Sequence, residues 1–223
     1  METEMILRRN IAGFIFSVLF FLPCFSQTDS LISKEVVPSG LRVSYNSSII
    51  YAGIRLGVEL PAYSINLIRN TTAGELKAIS KDRFIAVNAG WYHHPDFHDN
   101  MYFTVEWTMR RKREKGFFTE FSSGLGYSRT YLGATTYRVD NNGNIDIIKS
   151  AGYNYAMIIT SGGFGYDFSK KKKMPFSVFY KFDLMGMFPY NSTLYFRPAM
   201  ELGMIYKPAN FLKIKTNTRT VSK

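Results

Sequence analysis

The sequence holds a single cysteine, Cys24, and only three histidines among 223 residues. A disulfide scaffold or a zinc finger needs paired cysteines or Cys/His sets, so both are excluded. Acidic residues are also scarce: 17 Asp and Glu stand against 28 Lys and Arg, a formal charge of +11. Beyond the first 26 residues no apolar run is long enough for a spanning helix, and mean hydropathy is only -0.11. A helical membrane protein is thereby excluded. What is abundant excludes disorder, because 46% hydrophobic and 16% aromatic residues supply ample surface to bury.

The N-terminus reads as a processing segment. Arg8 and Arg9 precede the apolar stretch Ile11 to Phe25, and the small Ser26 stands before the polar Gln27. This is the layout of a secretory signal peptide over residues 1–26. Cys24 offers the alternative of a lipoprotein anchor, which Pro23 directly before it fits poorly. The rest divides into an N-terminal extension over 27–40, a body over 41–206 and a basic tail over 207–223. The excess positive charge is concentrated in Arg110 to Lys115, in Lys170 to Lys173, and in Lys213, Lys215, Arg219 and Lys223 of the tail. In an exported chain these runs read as solvated turns and a tail, not as a nucleic-acid site.

The body alternates with a period of two, the signature of strands. From Ile50 to Leu60, the residues Ile50, Ala52, Ile54, Leu56, Val58 and Leu60 share one face, and Tyr51, Gly53, Arg55, Gly57 and Glu59 share the other. Arg83 to Tyr92, Met101 to Arg111, Phe117 to Thr130, Tyr153 to Phe168, Phe176 to Phe188 and Leu194 to Tyr206 repeat the pattern. Seven strands are predicted, each long enough to cross a bilayer at a tilt. An eighth falls either at Leu41 to Asn46 or within Ser64 to Ser80.

The composition of the polar face sets the orientation. It carries Gly53, Gly57, Gly90, Gly124, Gly126, Gly163, Gly165 and Gly203, where a water-exposed face would carry Lys, Glu and Thr. It also carries the charges Arg55, Glu59, Glu106, Glu120, Asp167, Lys181, Asp183, Arg197 and Glu201. Small residues mixed with both signs of charge suit the narrow interior of an eight-stranded barrel. On the apolar face, Arg83, Arg111 and Arg129 occur only near strand ends, where aromatics also gather, as at a membrane interface. The chain therefore reads as all-β: an antiparallel up-and-down transmembrane β-barrel of eight strands, apolar face outward.

A signal peptide followed by alternating, glycine-dotted strands over residues 41–206 resembles the small outer-membrane β-barrel proteins of Gram-negative bacteria. The family's last strand commonly ends the chain on an aromatic residue, whereas 17 residues follow Tyr206 here. The resemblance implies the cell outer membrane as location, outer-membrane lipids and lipopolysaccharide as surroundings, and the barrel-assembly machinery as a partner. It implies no cofactor. The role it implies is structural or surface-interaction, with a filled polar interior. An outer-membrane enzyme acting on lipid A is the alternative.

Loop lengths orient the barrel, since periplasmic turns are short and external loops long. Gly133 to Gly152 is the longest connection, and Asp140-Asn141-Asn142-Gly143 within it is a turn signal between Tyr137-Arg138-Val139 and Ile145-Asp146-Ile147. It reads as an external hairpin. Alternation puts His94 to Asn100 and Pro189 to Thr193 at the same end, with Arg110 to Lys115, Lys170 to Lys173 and the C-terminus at the periplasmic end.

All three histidines lie in one segment, with His93, His94 and His98 beside Asp96 and Asp99. Imidazoles and carboxylates this close are candidates for a metal site or an acid–base pair. Adjacent His93 and His94 point to opposite faces of a strand, so one ion cannot take both without a bend at Pro95. The lipid A deacylases within the resembling class use a His, a Ser and a carboxylate. No serine is near these histidines in sequence, leaving Ser122 and Ser128 as cross-strand candidates. The segment reads as a polar external loop, with no catalytic residue and no metal assigned.

Overall fold

The structure is a computed structural model that describes residues 29–35, 39–48, 51–70, 76–95, 97–140, 143–169, 174–190 and 193–208. The segment read as a signal peptide and the tail beyond residue 208 lie outside the described residues. The strands are β1 (Asp29–Glu35), β2 (Gly40–Ser48), β3 (Tyr51–Asn70), β4 (Leu76–His94), β5 (His98–Arg113), β6 (Phe117–Leu132), β7 (Thr136–Val139), β8 (Ile145–Ile148), β9 (Gly152–Asp167), β10 (Phe176–Tyr190) and β11 (Thr193–Tyr206). Eight of them, β2 to β6 and β9 to β11, pair antiparallel with their neighbours in the ring. β11 pairs with β2, as in Met204 with Val43, and β2 pairs with β3, so the sheet closes on itself. Closure removes the unpaired edges that an open sheet would expose. The fold is an antiparallel up-and-down β-barrel of eight strands.

The eighth strand is β2, the Leu41 to Asn46 alternative, extended by one residue at its start and two at its end. Ser64 to Ser80 is not a separate strand. It is the continuation of β3 and β4, which pair as far as Asn70 with Leu76. The alternation stops being readable after Leu60 because the register shifts between Pro61 and Tyr63. One extra residue at a bulge swaps the faces, so Tyr63 takes the outward side that even-numbered residues hold above it. β1, inside the segment read as an N-terminal extension, pairs along this continuation, with Lys34 opposite Ile65.

The β2–β3, β4–β5, β6–β9 and β10–β11 connections lie at one end, here termed the hairpin end. The start of β2, the end of β11 and the β3–β4, β5–β6 and β9–β10 connections lie at the other, the terminal end. The long β6–β9 connection contains the hairpin β7–β8, with Tyr137 opposite Ile147 and Val139 opposite Ile145. Gly143, at φ 82°, supplies its left-handed turn residue, and Asp140 closes the turn by accepting the Asn144 backbone N–H at 2.8 Å.

The barrel is inverted relative to a soluble one. Leu56, Phe103, Val105, Leu125, Phe164 and Leu202 are exposed, whereas Arg55, Glu106, Lys181 and Asp183 are buried. The outward stripe of β5 runs Met101, Phe103, Val105, Trp107, Met109, bounded by Asp99 and Arg111 twelve residues apart. At about 3.4 Å per residue and a tilt of about 35–45° that distance is roughly 29–33 Å of depth, the thickness of a bilayer's hydrocarbon core. At the terminal end the aromatics touch one another: Tyr166 meets Phe168 at 5.1 Å between ring centroids, and Phe168 meets Phe176 at 5.1 Å.

Candidate functional site

Two places carry polar chemistry: the lumen and the histidine segment at the hairpin end. The lumen comes first because strand pairing builds it directly. Inward positions on neighbouring strands face each other in register, so a bulky side chain needs a small one across from it. Gly90 lies opposite Tyr102, and a Cβ at Gly90 would overlap the phenol ring. Gly165 lies opposite both Phe118 and Phe179, and a Cβ there would overlap the Phe118 ring. The glycines of the polar face thus make room for the side chains that fill the lumen.

The filling is layered. Nearest the hairpin end, Tyr92, Tyr102, Tyr155, Met157, Ile159, Met185 and Met187 form an apolar cluster. The Arg197 guanidinium stacks on Tyr92 at 3.6 Å, an attraction strengthened by its desolvation. Below it Arg55 is the hub. It pairs with Glu106, with Asp183 at 3.2 Å and with Glu201 at 3.1 Å. Neutral donors add hydrogen bonds to these carboxylates: Asn88 donates to Glu106, Asn46 to Asp183 and Ser44 to Glu201. Lys181 lies 3.5 Å from Glu120 and joins this hub to the next.

The second hub is Arg110, which reaches Glu59 at 2.5 Å and Glu120 at 2.6 Å. Arg42 binds Glu120 at 2.9 Å and lies 3.5 Å from Glu59. Phe118, Phe179 and Ile205 pack around these guanidinium groups, with Arg42 over Phe179 at 4.5 Å and Arg110 over Phe118 at 5.0 Å. At the terminal rim Lys112 holds Asp82 at 2.5 Å, and Lys207 holds Asp167 at 2.6 Å. Lys207 keeps Asp167 ionised against the burial that opposes its charge, so the Asp167 pKa falls well below the usual carboxylate range.

The structure places all nine charged residues of the sequence-read polar face inside. Those nine comprise three bases and six acids. Sequence reasoning missed Arg42, Lys112, Lys207 and Asp82, and it put Arg110 on the polar face of its strand without counting it among the interior charges; these five bring the interior set to seven bases and seven acids. Arg110 and Lys112 belong to the run that reads as a solvated basic turn, Lys207 opens the segment that reads as a tail, and Asp82 directly precedes the strand read from Arg83. A signal was available for two of them: Arg110 and Lys112 continue the inward parity of Glu106 and Thr108.

The histidine segment is built by the β4–β5 turn, where His93 pairs with Asp99 and His94 with His98 across the strands. His93 and Asp99 are each about half exposed, and the His93 Nδ1 lies 2.8 Å from Asp99 Oδ1. His94 packs against Phe97 at 4.7 Å and His98 at 5.2 Å between ring centroids. Burial, then the neighbouring His94 and Arg197, lowers the His98 pKa below that of a free imidazole. Asp96 lies outside the described residues. The structure brings His93 to Asp99, and His94 to His98, but it does not gather the three imidazoles around one point. Among the described residues no group of three or more His, Cys, Asp or Glu is placed to hold a metal. The serines named as partners are bonded elsewhere: Ser122 donates to Glu106 at 3.0 Å and Ser128 to Asn100 at 2.9 Å.

No family model matches the chain, and no curated protein matches it. Among solved structures it is similar to the N-terminal β-barrel domain of Pseudomonas aeruginosa OprF, at 11% identity and a TM-score of 0.38, over 79% of this chain and 100% of that one. It is similar to Neisserial surface protein A at 10% identity and a TM-score of 0.36, over 78% of this chain and 96% of that one. It is also similar to Ail, the attachment invasion locus protein of Yersinia pestis, at 9% identity and a TM-score of 0.35, over 79% and 99%.

Proposed function

We propose that this chain is an integral outer-membrane β-barrel, exported by its N-terminal segment, with a structural or surface-interaction role and no solute channel. The supporting observation is the inversion itself: an apolar exterior about as tall as a bilayer core, around a lumen closed by paired charges. An exterior of this kind in water would be an apolar patch far larger than a soluble monomer tolerates. An eight-stranded barrel is just wide enough for its own side chains, and here both charged hubs and two apolar clusters occupy that space. Termini facing the periplasm put the β7–β8 hairpin and the histidine segment outside. Outer-membrane lipids and lipopolysaccharide then surround the barrel, and the barrel-assembly machinery inserts it.

A lipid A enzyme gains no support from the geometry, because the His93–Asp99 pair sits on the outer face while Ser122 and Ser128 are bonded within the lumen. Fractionation tests the proposal. The protein should sediment with outer membranes, resist alkaline extraction, and migrate faster on a detergent gel unheated than boiled. Recovery from the periplasm without detergent would overturn it. Loss of an acyl chain from lipid A on expression, restored by replacing one histidine, would favour the enzyme.

A further inference from the structure

At its bulge β3 exchanges one neighbour for another. Over residues 51–59 it lies between β2 and β4, and over residues 64–69 it lies between β1 and β4. The exchange keeps the line: Glu35 is opposite Ser64, and Gly40, five residues on, is opposite Glu59, five residues back. β1 therefore continues β2 along the same side of β3, toward the terminal end. β2 has β11 on its far side, with Leu41 opposite Tyr206. Among the described residues β1 pairs with β3 alone. Its backbone N–H and C=O groups that point away from β3 form an open edge, a template for one more strand.

The chain that leaves β11 starts beside that edge. Lys207 continues the strand, its N–H donating to the Pro175 carbonyl at 2.7 Å, one step beyond the Phe176–Tyr206 pair. Carried on in the β11–β2 register, the positions that follow pass Gly40 and run alongside β1. They reach the level of Glu35 at Leu212 and of Asp29 at Thr218. In sequence this stretch alternates Leu212, Ile214, Thr216 and Thr218 with Lys213, Lys215, Asn217 and Arg219. A period of two with β-branched residues on one side is the pattern of a strand. Its charges are all basic, whereas β1 begins at Asp29 and ends at Glu35. Proline marks the same level in all three lines: Pro38 falls between β1 and β2, Pro61 at the β3 bulge and Pro208 directly after Lys207. Proline gives up a ladder bond and is confined to bulges and strand ends, so a chain following the line of β11 breaks where its neighbours break.

The geometry points to the open edge of β1 as the docking site of this chain's own C-terminal segment, residues 212–218 adding antiparallel to β1 as an edge strand. The segment is tethered beside its site, so docking closes only a short loop and costs little chain entropy. Because the Lys207 N–H points to β10, alternation turns the N–H groups of the even-numbered residues toward β1. The docked strand covers an edge that would otherwise pair with a second molecule. It also ties the end of the last barrel strand to the strand that precedes the first. The inference does not depend on which side of a membrane the terminal end faces.

Disulfide scanning of the full-length chain, in a Cys24→Ser background and with copper phenanthroline as oxidant, tests it. Lys34→Cys is combined in turn with Lys213→Cys, Lys215→Cys and Asn217→Cys. The pair with Lys213→Cys should give at least about fivefold more intramolecular bridge than either other pair, because bridging needs Cα atoms within about 7 Å. Thr216→Pro removes an N–H aimed at β1 and should lower that yield roughly fivefold, whereas Asn217→Pro removes one aimed away and should leave it unchanged. In the wild type, amide hydrogen exchange over residues 212–218 should be at least about tenfold slower than over residues 220–223. The unheated gel shift, read on every sample, confines the comparison to folded barrels, and the wild-type exchange carries the test if a variant does not fold. Equal or smoothly varying yields at 213, 215 and 217, equal effects of the two prolines, or equal exchange rates overturn the inference. A bridge between two chains, seen as a dimer on a non-reducing gel, overturns it in favour of a second copy at the edge.

Discussion

Arg110 on β5 grips Glu59 on β3 through two parallel hydrogen bonds, Nη1 to Oε2 at 3.2 Å and Nη2 to Oε1 at 2.5 Å. The two strands are not neighbours, so this fork spans the lumen over Ala86 of β4, the small residue in register with Glu59. Paired forks of this kind are among the stronger charge-assisted contacts. Removing one member leaves the others charged, buried and short of a partner. Arg110→Met is therefore expected to cost about 3–5 kcal/mol. Glu59→Gln should cost less, since the amide still accepts from the guanidinium. Urea unfolding in lipid vesicles measures both, and a near-zero cost for Arg110→Met would show that the hub does not hold the strands together.

Tyr102 occupies space that Gly90 leaves open. Gly90→Val is expected to prevent assembly or slow it severely, because the buried Tyr102 ring already fills the place of the new side chain. The same substitution at Gly162, which faces outward and where an added Cβ meets nothing, should be tolerated. Comparing the fraction that shows the unheated gel shift decides the matter. Equal assembly of the two variants would contradict the packing described for the lumen.

The period-two pattern carried the barrel, because a sheet with one face in lipid and one in a lumen keeps a strict alternation over long strands. It carried Glu59, Glu106 and Lys181 into the lumen for the same reason. It lost Ser64 to Ser80 at the Pro61–Tyr63 bulge, where one inserted residue swaps the faces without any change in composition. Lys112 is obscured differently: it lies, with Arg110, inside a basic run in which Arg111 and Arg113 face outward, so the run reads as a solvated turn even though parity sets Arg110 on the polar face. Composition averages the two faces, and only strand parity separates them.

Val105 lies near the middle of the outward stripe of β5, and Leu202 is on the outward face of β11. Arg at either position should cost about 2–4 kcal/mol if it lies near the bilayer midplane. Arg at Met109, next to Arg111, should cost only about 0–1 kcal/mol, because the guanidinium reaches the interface. Depth-independent costs across Val105, Leu202 and Met109 would show that the stripe does not face lipid.

The rim imidazole at His98 gives the hairpin end a pH dependence. Its folded pKa is lowered by burial, His94 and Arg197, so between that value and about 6.5 the unfolded chain binds more protons. Stability of the rim should be complete above about pH 6.5 and should fall as the pH drops through the folded pKa. Hydrogen exchange of the β4–β5 turn at pH 7 and pH 5 should show faster opening at the lower pH, and His98→Phe should remove the difference. An identical pH response in His98→Phe would assign the effect to another group.

The orientation of the two faces is open to one direct measurement. The chain has two tryptophans, Trp91 and Trp107, and both lie on the outer wall, 40% and 44% exposed. With the barrel in vesicles containing lipids brominated along their acyl chains, the tryptophan fluorescence should be strongly quenched, while aqueous acrylamide should quench it weakly. Strong quenching by acrylamide with none from the brominated lipids would put these side chains in water and contradict the inside-out barrel.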